Sequence, residues 1–276
     1  MRRPPRQSRM KNLYRSNRHL NYGDPMTIVV GIKCADGIVI STDTQSEFGR
    51  GVSVKRLNAT KIYQINEKFA IAGAGMVAHI ARAVNLIKLA MREAEEEGNK
   101  ELSDVMIIDI MEKTLTAAHK RYNLDRARAL DDEGELNFWR PILICGGICP
   151  CMDGKQDHFL SILHSAGLVE PTLDYCTIGS GAAYAEYVLK NYYYDGIKVS
   201  EAIPMAIYAI EEVKQIDPNC GGETRVGVIG DKYRELTRDE IQKITSDLVG
   251  VLDNVDKKLI PRILKGEIKR DDITKI

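Results

Sequence analysis

The fold is decided by the stretch TIVVGIKCADGIVISTD (27–43), in which two β-branched runs flank the turn triplet Ala-Asp-Gly. This pattern predicts a β-hairpin, because β-branched residues favour strands and the triplet favours a turn. The stretch KIYQINEKFAIA (61–72) predicts a second hairpin around its polar Asn-Glu-Lys turn. Residues 44–60 connect the two hairpins, so the folded part of the chain is expected to begin with antiparallel strands.

Helices and further strands are predicted after the hairpins. Apolar residues recur at steps of three and four between Val77 and Met91, which indicates a helix that begins near Gly75. A second helix follows Ser103, and the capping-box spacing after Thr237 indicates a C-terminal helix. The remaining predicted elements are strands at 141–148 and 158–163, a helix after the glycine turn 179–181, a helix at 200–216 and a strand at 224–229.

The order of these elements indicates an α+β fold. Strand hairpins, two helices, strands, two helices and a strand differ from the regular alternation of a doubly wound parallel sheet. Antiparallel sheets with helices grouped on their outer faces fit this order. We divide the chain into a basic leader or propeptide (1–26), a folded domain (27–236) and a C-terminal helical extension (237–276) that is expected to remain helical to about Leu264.

The composition excludes several classes of protein. The 276 residues include 39 basic and 39 acidic side chains, and 44% are hydrophobic. This balance argues against a disordered chain and against nucleic-acid binding by bulk positive charge. No stretch reaches the roughly 20 apolar residues of a membrane span, and no secretory signal is recognisable. We therefore expect a cytoplasmic protein that does not interact with membranes.

The cysteines do not indicate a metal site. The six cysteines lie mostly in apolar runs, where cysteine is usually a small, reduced core residue. Cys149-Pro-Cys151 suggests a metal ligand pair, but no second pair of cysteines or histidines stands at zinc spacing. No metal or organic cofactor is expected.

The N-terminal residues differ in charge from the rest of the chain. Residues 1–25 contain seven arginines and lysines against the single acid Asp24. The favoured interpretation is a leader or an alternative start at Met26. A removable propeptide comes second and a nucleic-acid-binding arm third.

The stretch GAGMVA (73–78) matches a dinucleotide-binding fingerprint only superficially. The chain then enters another helix and not the second parallel strand that such a site requires. Small residues that allow a tight strand-to-helix turn explain the stretch better. The free N–H groups at the start of the helix could still stabilise an anion.

Thr27 is the candidate nucleophile. A threonine hydroxyl reacts when a base removes its proton, and its own α-amino group can be that base if Thr27 is the first residue of the mature chain. Removal of Met26, alone or with the leader, would free this amine. A nearby lysine cation would lower the pKa of the amine and raise its neutral fraction, and a carboxylate could hold the lysine.

Asp43 and Lys61 are the candidate partners of Thr27. Asp43 ends the strand that pairs with the Thr27 strand, and Lys61 begins the next strand. The three residues can therefore converge at one edge. Taken alone, an aspartate at a strand end is usually a cap and a lysine an edge-strand charge.

Five short blocks stand in a characteristic order between residues 27 and 229. They are TIVVG (27–31) with DGIVISTD (36–43), TKI (60–62), AGAG (72–75), IGSG (178–181) and DPNCGG (217–222). Together they resemble a β-type proteasome subunit. An α-type subunit is disfavoured because a threonine stands at the nucleophile position. The resemblance implies the N-terminal nucleophile hydrolase fold for residues 27–236, a four-layer αββα sandwich with two antiparallel sheets between helix layers.

The resemblance also implies the role of each catalytic residue. Thr27 matches the nucleophile, Asp43 the acid that orients the lysine, and Lys61 the cation beside the amine. Gly75 matches the backbone N–H group that binds the oxyanion.

Three further positions match the groups that support the amine. Ser180 matches a supporting hydroxyl, and Asp217 matches the acid that braces the amine. Cys220 stands where the family usually has a supporting serine, and cysteine is the weaker hydrogen-bond partner.

The sequence departs from the family between Asp43 and Lys61. The connection is two residues longer than usual, and Gln45 stands where many active members have arginine. Lys55 is therefore a competing lysine. Lys61 is preferred because it begins a β run and precedes Gly75 by fourteen residues, whereas Lys55 lies in the predicted connection, where its loss is expected to matter little.

The resemblance implies a substrate pocket shaped by Ser46, Ala59, Tyr63, Gly73 and Val77. Gly73 at its floor is expected to leave room for a large apolar side chain, although Tyr63 takes some of this room. Cleavage after large apolar residues is the resulting expectation.

The sequence thus predicts a threonine endopeptidase of proteasome β type. Its expected substrates are unfolded polypeptides, and the resemblance implies homo- or hetero-oligomeric rings served by an ATPase or another activator. One alternative is an amidase of the same fold that acts on small molecules without ring stacking. A second is a structural ring subunit that does not cut, favoured if the mature chain keeps Met26. The weakest is a regulator whose basic tail binds nucleic acid.

Overall fold

A computed structural model describes residues 27–48, 54–98, 102–125, 139–150, 156–254, 260–265 and 267. The predicted leader, residues 1–26, lies outside these ranges. The strands are β1 (Ile28–Cys34), β2 (Gly37–Asp43), β3 (Ser46–Phe48), β4 (Val54–Arg56), β5 (Ile62–Asn66), β6 (Phe69–Ala74), β7 (Ile142–Pro150), β8 (Gln156–Leu163), β9 (Val169–Pro171), β10 (Tyr175–Gly179), β11 (Thr224–Ile229) and β12 (Tyr233–Glu235). The helices are α1 (Val77–Gly98), α2 (Asp104–His119), α3 (Ala182–Tyr192), α4 (Val199–Ile216), α5 (Arg238–Asn254) and α6 (Ile260–Leu264), and α2 continues into a π-helical segment, Lys120–Asp125.

Two five-stranded sheets form the centre of the fold. The first has the strand order β10-β1-β2-β11-β12 and the second has the order β5-β6-β7-β8-β9. All neighbouring strands in both sheets are antiparallel. The two predicted hairpins are confirmed as β1–β2 and β5–β6, one in each sheet. Strands β3 and β4 form a separate two-stranded sheet.

The side chains of β1 point alternately to its two faces, and their contacts show how the sheets and helices are layered. Val29 packs in a core between the two sheets, together with Ile144 and Leu160 of the second sheet. Its neighbours Ile28 and Val30 pack on the opposite face, against helices α3 and α4. Helices α1 and α2 cover the outer face of the second sheet. The predicted α+β class and four-layer αββα sandwich are therefore confirmed.

Ile144 lies in the core between the sheets and is fully buried. We expect Ile144→Ala to lower the free energy of unfolding by about 2–5 kcal/mol, because it removes buried methyl groups and leaves a cavity. The matched control is Leu173→Ala, since Leu173 is 86% exposed and its truncation should change stability by less than about 0.5 kcal/mol. Urea unfolding of both variants measures the difference, and equal stabilities would contradict the assignment of this core.

The structure differs from the sequence prediction mainly at short elements. Strands β3, β4, β9, β10 and β12, of three to five residues each, were not predicted. The three-residue strands β3, β4, β9 and β12 are too short to display an alternation of apolar and polar residues. Helix α1 begins at Val77 and not near Gly75, because Gly75 has a φ of 124°, which lies outside the helical region.

The capping box predicted at Thr237 is confirmed. The Thr237 N–H donates to Glu240 Oε2 at 2.7 Å, and the Glu240 N–H donates to Thr237 Oγ1 at 3.3 Å. Ile241 of α5 is buried in the core beneath the first sheet, so the start of the predicted extension packs on the domain. Residues 255–259 lie outside the described part of the chain, as do 266 and 268–276. Among the described helices, none combines the length and apolar character needed to cross a bilayer.

Candidate active site

Strand pairing brings the predicted nucleophile close to its predicted acid. Thr27 directly precedes β1, and Asp43 is the last residue of β2. Because Val29 pairs with Thr42 in the antiparallel ladder, the start of β1 lies beside the end of β2. Lys61 directly precedes β5 and reaches the same place from the second sheet.

The side chains of these three residues form one hydrogen-bonded group. Thr27 Oγ1 donates to Asp43 Oδ1 at 2.5 Å, and Lys61 Nζ donates to the same oxygen at 2.6 Å. Lys61 Nζ also donates to Thr27 Oγ1. All three residues are buried, with 2%, 0% and 5% of their surface exposed for Thr27, Asp43 and Lys61. A threonine hydroxyl is thereby held between a carboxylate and an ammonium group, out of contact with bulk solvent.

Backbone N–H groups hold the Asp43 carboxylate in place. The Ile28 N–H donates to Oδ1 at 3.1 Å, while the Gln45 and Gly221 N–H groups donate to Oδ2 at 3.2 Å and 3.0 Å. Hydrogen bonds to a charged acceptor are the stronger kind. Asp43 therefore offers Lys61 and Thr27 a fixed negative charge.

Burial lowers the pKa of Lys61, because the charged ammonium loses its hydration. The charge of Asp43 and its hydrogen bond oppose this effect without cancelling it. The lysine consequently gives up its proton more readily than a lysine in water does.

A second group of predicted residues surrounds the backbone of Thr27. Ser180 Oγ donates to the Thr27 carbonyl oxygen at 3.4 Å and lies 3.8 Å from Cys220 Sγ. Cys220 Sγ donates to Asp217 Oδ2 at 3.5 Å. The Gly181 N–H donates to the same Thr27 carbonyl at 3.3 Å. The supporting residues named by the resemblance thus form a continuous chain of contacts next to Thr27.

Gly179 explains how this second group comes so close. It pairs with Ile28 across β10 and β1 and has a φ of 106°. A Cβ at this position would lie 2.2 Å from the Thr27 carbonyl oxygen. Only glycine allows this approach, and Ser180 follows directly in the chain.

The pKa values of Asp217 and Cys220 move in opposite directions. Burial alone would raise the pKa of Asp217, but hydrogen bonds from Asn219, Ser180 and Cys220 outweigh it and lower that pKa. Burial raises the pKa of the Cys220 thiol to about 12, and the charge of Asp43 adds to this effect. Asp217 therefore stays ionised at neutral pH, and Cys220 stays a neutral thiol that can donate to it.

Gly75 follows β6 at the edge nearest Lys61. The Gly73 N–H donates to the Lys61 carbonyl at 3.1 Å, two residues before Gly75. Gly75 has a φ of 124°, and a Cβ there would lie 3.2 Å from the Arg140 carbonyl oxygen. This conformation ends the strand and turns the chain into α1.

Four of the five residues predicted to shape the substrate pocket lie on β3, β5, β6 and α1. Ser46 is buried at the start of β3, while Tyr63 of β5 donates through its hydroxyl to the Thr60 carbonyl at 2.9 Å. A Cβ at Gly73 would lie 2.5 Å from the Ile80 side chain. Ile80 of α1 therefore lies directly against Gly73, and the room for a large apolar side chain at this position stays a prediction. Val77 begins α1, and Ala59 donates its N–H to the Thr44 carbonyl at 2.9 Å.

Several contacts of the site were not foreseen from the sequence. Gly181 and Gly221 contribute backbone N–H groups, and no side-chain signal marks such a role. Lys55 lies in β4 and not in a loop, and its Nζ binds the Pro218 carbonyl at 2.6 Å. Lys61 is the lysine that contacts Thr27 and Asp43, whereas Lys55 contacts the Pro218 carbonyl.

The described residues contain no group of three or more His, Cys, Asp or Glu side chains placed to hold a metal ion. Cys149 is buried, and Cys151, its partner in the candidate ligand pair, lies outside the described residues.

Fold and sequence comparison together identify the class and the family. Two antiparallel sheets between helix layers, with a threonine at the head of β1, define a protein of the N-terminal nucleophile hydrolase fold. The family model for proteasome subunits matches residues 26–124 and 136–229, which is more than half of the chain. The chain therefore belongs to the proteasome subunit family.

Individual relatives narrow this assignment to the β type. Proteasome subunit beta 2 of Pyrococcus abyssi is 29% identical over 219 residues, which cover 79% of this chain and 94% of the relative. Proteasome subunit beta 1 of Thermococcus onnurineus is 30% identical over 219 residues, covering 79% and 96%. Proteasome subunit beta of Halorubrum lacusprofundi is 31% identical over 212 residues, covering 77% and 76%. The resemblance inferred from the sequence is confirmed.

Proposed function

We propose that the protein is a threonine endopeptidase of proteasome β type. One observation carries the proposal: the buried Thr27 hydroxyl lies in hydrogen-bond contact with both the Asp43 carboxylate and the Lys61 ammonium group. An ammonium group beside a hydroxyl stabilises the negative charge that develops when the oxygen attacks a carbonyl carbon. The similarity of the chain to proteasome beta subunits supports the same proposal.

The reaction starts from a chain in which the peptide bond between Met26 and Thr27 has been cleaved. An amide nitrogen is no base, whereas the free amine of Thr27 can accept the proton of its own hydroxyl, directly or through water. Thr27 Oγ1 then attacks the peptide carbonyl carbon, and the Gly75 N–H stabilises the oxyanion. The C–N bond breaks as the proton passes to the leaving amine. Water hydrolyses the resulting ester and restores Thr27.

The surrounding residues have positioning roles in this proposal. Asp43 orients Lys61, whose positive charge lowers the pKa of the Thr27 amine. Ser180, Asp217 and Cys220 support the amine from the other side. Ser46, Tyr63, Gly73 and Val77 contact the substrate side chain, and Ile80 must shift to admit a large one.

Substrates and partners follow from the same assignment. Unfolded polypeptides can dock as an added strand beside Gly75, which gives an affinity that depends little on sequence. We further propose that the subunits assemble into homo- or hetero-oligomeric rings that enclose the threonines, and that an ATPase or other activator delivers the substrate.

Intact mass and N-terminal sequencing of the purified protein, paired with a fluorogenic peptide assay, test the proposal. We expect a mature chain that begins with Thr27 and hydrolyses peptides. A protein that assembles into rings, keeps Met26 and hydrolyses no peptide would instead be a structural subunit. Hydrolysis of small amides by an unassembled protein would indicate the amidase alternative.

The pH dependence of kcat/KM provides a further prediction. Activity should rise as the Thr27 amine loses its proton, at a pH below the usual range of about 7.7–8.0, because the Lys61 cation lowers the pKa of the amine. Activity should fall again when Lys61 itself loses its proton, and burial lowers this pKa, so the alkaline limb should lie below about pH 10.4. Rates measured from pH 5 to 10.5 check both limbs, and a plateau that persists to the highest pH would contradict the role of Lys61.

A further inference from the structure

The loop that carries Asp217 and Cys220 is held by two side chains that the proposed mechanism does not use. Gln45 Nε2 donates to the Pro218 carbonyl oxygen at 3.0 Å, and Lys55 Nζ donates to the same oxygen at 2.6 Å. A carbonyl oxygen has two lone pairs, so it can accept both bonds at once. The bond from Lys55 is charge-assisted, but the lysine is exposed and water screens its charge.

Both donors belong to the segment that links the two hairpins. Gln45 lies between β2 and β3 and is 5% exposed. Lys55 lies in β4, where its backbone pairs with Glu47 of β3. The small β3–β4 sheet therefore presents the lysine from a paired strand, and the contact with Pro218 does not depend on an unpaired loop.

Backbone bonds fasten the other end of the Asp217 loop to the same segment. The Gly221 carbonyl oxygen accepts hydrogen bonds from the N–H groups of Thr44 at 3.1 Å and Gln45 at 2.9 Å. A Cβ at Gly221 would lie 2.5 Å from Gln45 Oε1, so the Gln45 side chain passes close to this part of the loop. Asp217 directly precedes Pro218, which accepts the two side-chain bonds, and Cys220 directly precedes Gly221, which accepts the two backbone bonds.

We propose that Gln45 and Lys55 are positioning residues that act through Pro218 to hold Asp217 and Cys220 against Thr27. This inference rests on the proposed function. It qualifies the expectation that loss of Lys55 matters little, because the loss of Lys55 becomes costly when Gln45 is removed as well. Many active members of the family have arginine at the position of Gln45. In this chain Gln45 is a neutral donor to the Pro218 carbonyl, and Lys55 supplies the positive charge at the same carbonyl.

Removal of the two donors, singly and together, tests the proposal. Lys55→Met and Gln45→Leu should each lower kcat by less than about 10-fold, because the remaining donor still holds the loop. The double variant should lower kcat by about 10²-fold with little change in KM, since small displacements in an active site have effects of this size. Lys55→Arg should retain most of the activity, because a guanidinium group can also donate to the carbonyl.

Accessibility of the Cys220 thiol gives a second readout that does not require activity. Cys220 is 4% exposed, so iodoacetamide should modify it slowly in the parent protein and faster in the double variant. Mass spectrometry of proteolytic peptides gives the rate at each cysteine, and the buried Cys34, Cys145 and Cys176 are internal controls. Lys88→Met is the matched substitution, because Lys88 Nζ also donates to a backbone carbonyl, that of Gln64 at 3.4 Å.

The outcomes separate this inference from the proposed function. The positioning role is overturned if the double variant keeps both the parent kcat and the parent rate of Cys220 modification, or if all buried cysteines react faster together. If no form of the protein hydrolyses peptides while Cys220 alone becomes more reactive in the double variant, the loop contact stands and the proposed peptidase activity fails.

Discussion

Thr27→Ala should abolish peptide hydrolysis, with an expected loss of roughly 10⁵-fold or more in kcat, the size typical for removal of a nucleophile. The hydroxyl that attacks the substrate is gone, and neither Asp43 nor Lys61 can replace it, because both are held by their contacts with each other. A fluorogenic peptide assay on the assembled protein measures the loss. The fold should survive, since alanine keeps the backbone bonds that Thr27 accepts from Ser180 and Gly181.

Two further variants make this result specific. Thr27→Ser keeps a hydroxyl and an amine and should retain part of the activity. Thr245→Ala removes a threonine hydroxyl that binds the Ile241 carbonyl in α5, and it should leave kcat unchanged. Full activity of the alanine variant at position 27, or hydrolysis by a chain that keeps Met26, would eliminate the threonine mechanism.

Lys61→Ala should reduce kcat by about 10³-fold, because it removes the charge that stabilises the Thr27 oxygen during attack. The substitution also leaves the Asp43 carboxylate buried without its cation, and loss of one partner of a buried pair typically costs about 3–5 kcal/mol of stability. Thermal unfolding must therefore be measured beside kcat. Size-exclusion chromatography reports whether the rings still assemble, which we expect.

A comparison with Lys214, which is only partly exposed, separates catalysis from stability. Lys214 Nζ binds Glu211 at 2.9 Å, and its side chain is 11% exposed, so Lys214→Ala also breaks a sheltered ion pair but should leave kcat within a few-fold of the parent. The double variant Lys61→Gln with Asp43→Asn removes both charges of the catalytic pair, and its thermal unfolding is measured beside kcat. If this double variant hydrolyses peptides as fast as the parent, the proposed role of Lys61 is wrong.

Much of the fold was predictable because short stretches of sequence determine its central hairpins. The runs that became β1, β2, β5 and β6 are long enough to display their periodicity, and the Ser103 cap opens α2 through its hydrogen bond from the Met106 N–H. The three-residue strands were missed, because their pairing depends on partners far away in sequence. For example, β9 adds to β8 only through the tertiary arrangement of the second sheet.

The candidate site was predictable to different depths. Thr27 and Asp43 could be brought together from the hairpin alone, whereas Ser180 and Asp217 depended on the family resemblance, because no local pattern links residues so far apart. The contact of Lys55 with Pro218 and the packing of Ile80 against Gly73 could not be foreseen. Both depend on side-chain positions across separate elements, which spacing along the chain does not specify.

The proposed catalytic group is divided between the two sheets, because Thr27 and Asp43 lie at the ends of β1 and β2 in one sheet and Lys61 lies at the start of β5 in the other. The chain passes from the first sheet to the second and back again, so Lys61 meets Thr27 and Asp43 only when the two sheets pack on each other. In the proposed peptidase, the Thr27 hydroxyl therefore gains its ammonium partner only in the fully packed fold, and a partly folded chain lacks the complete catalytic group.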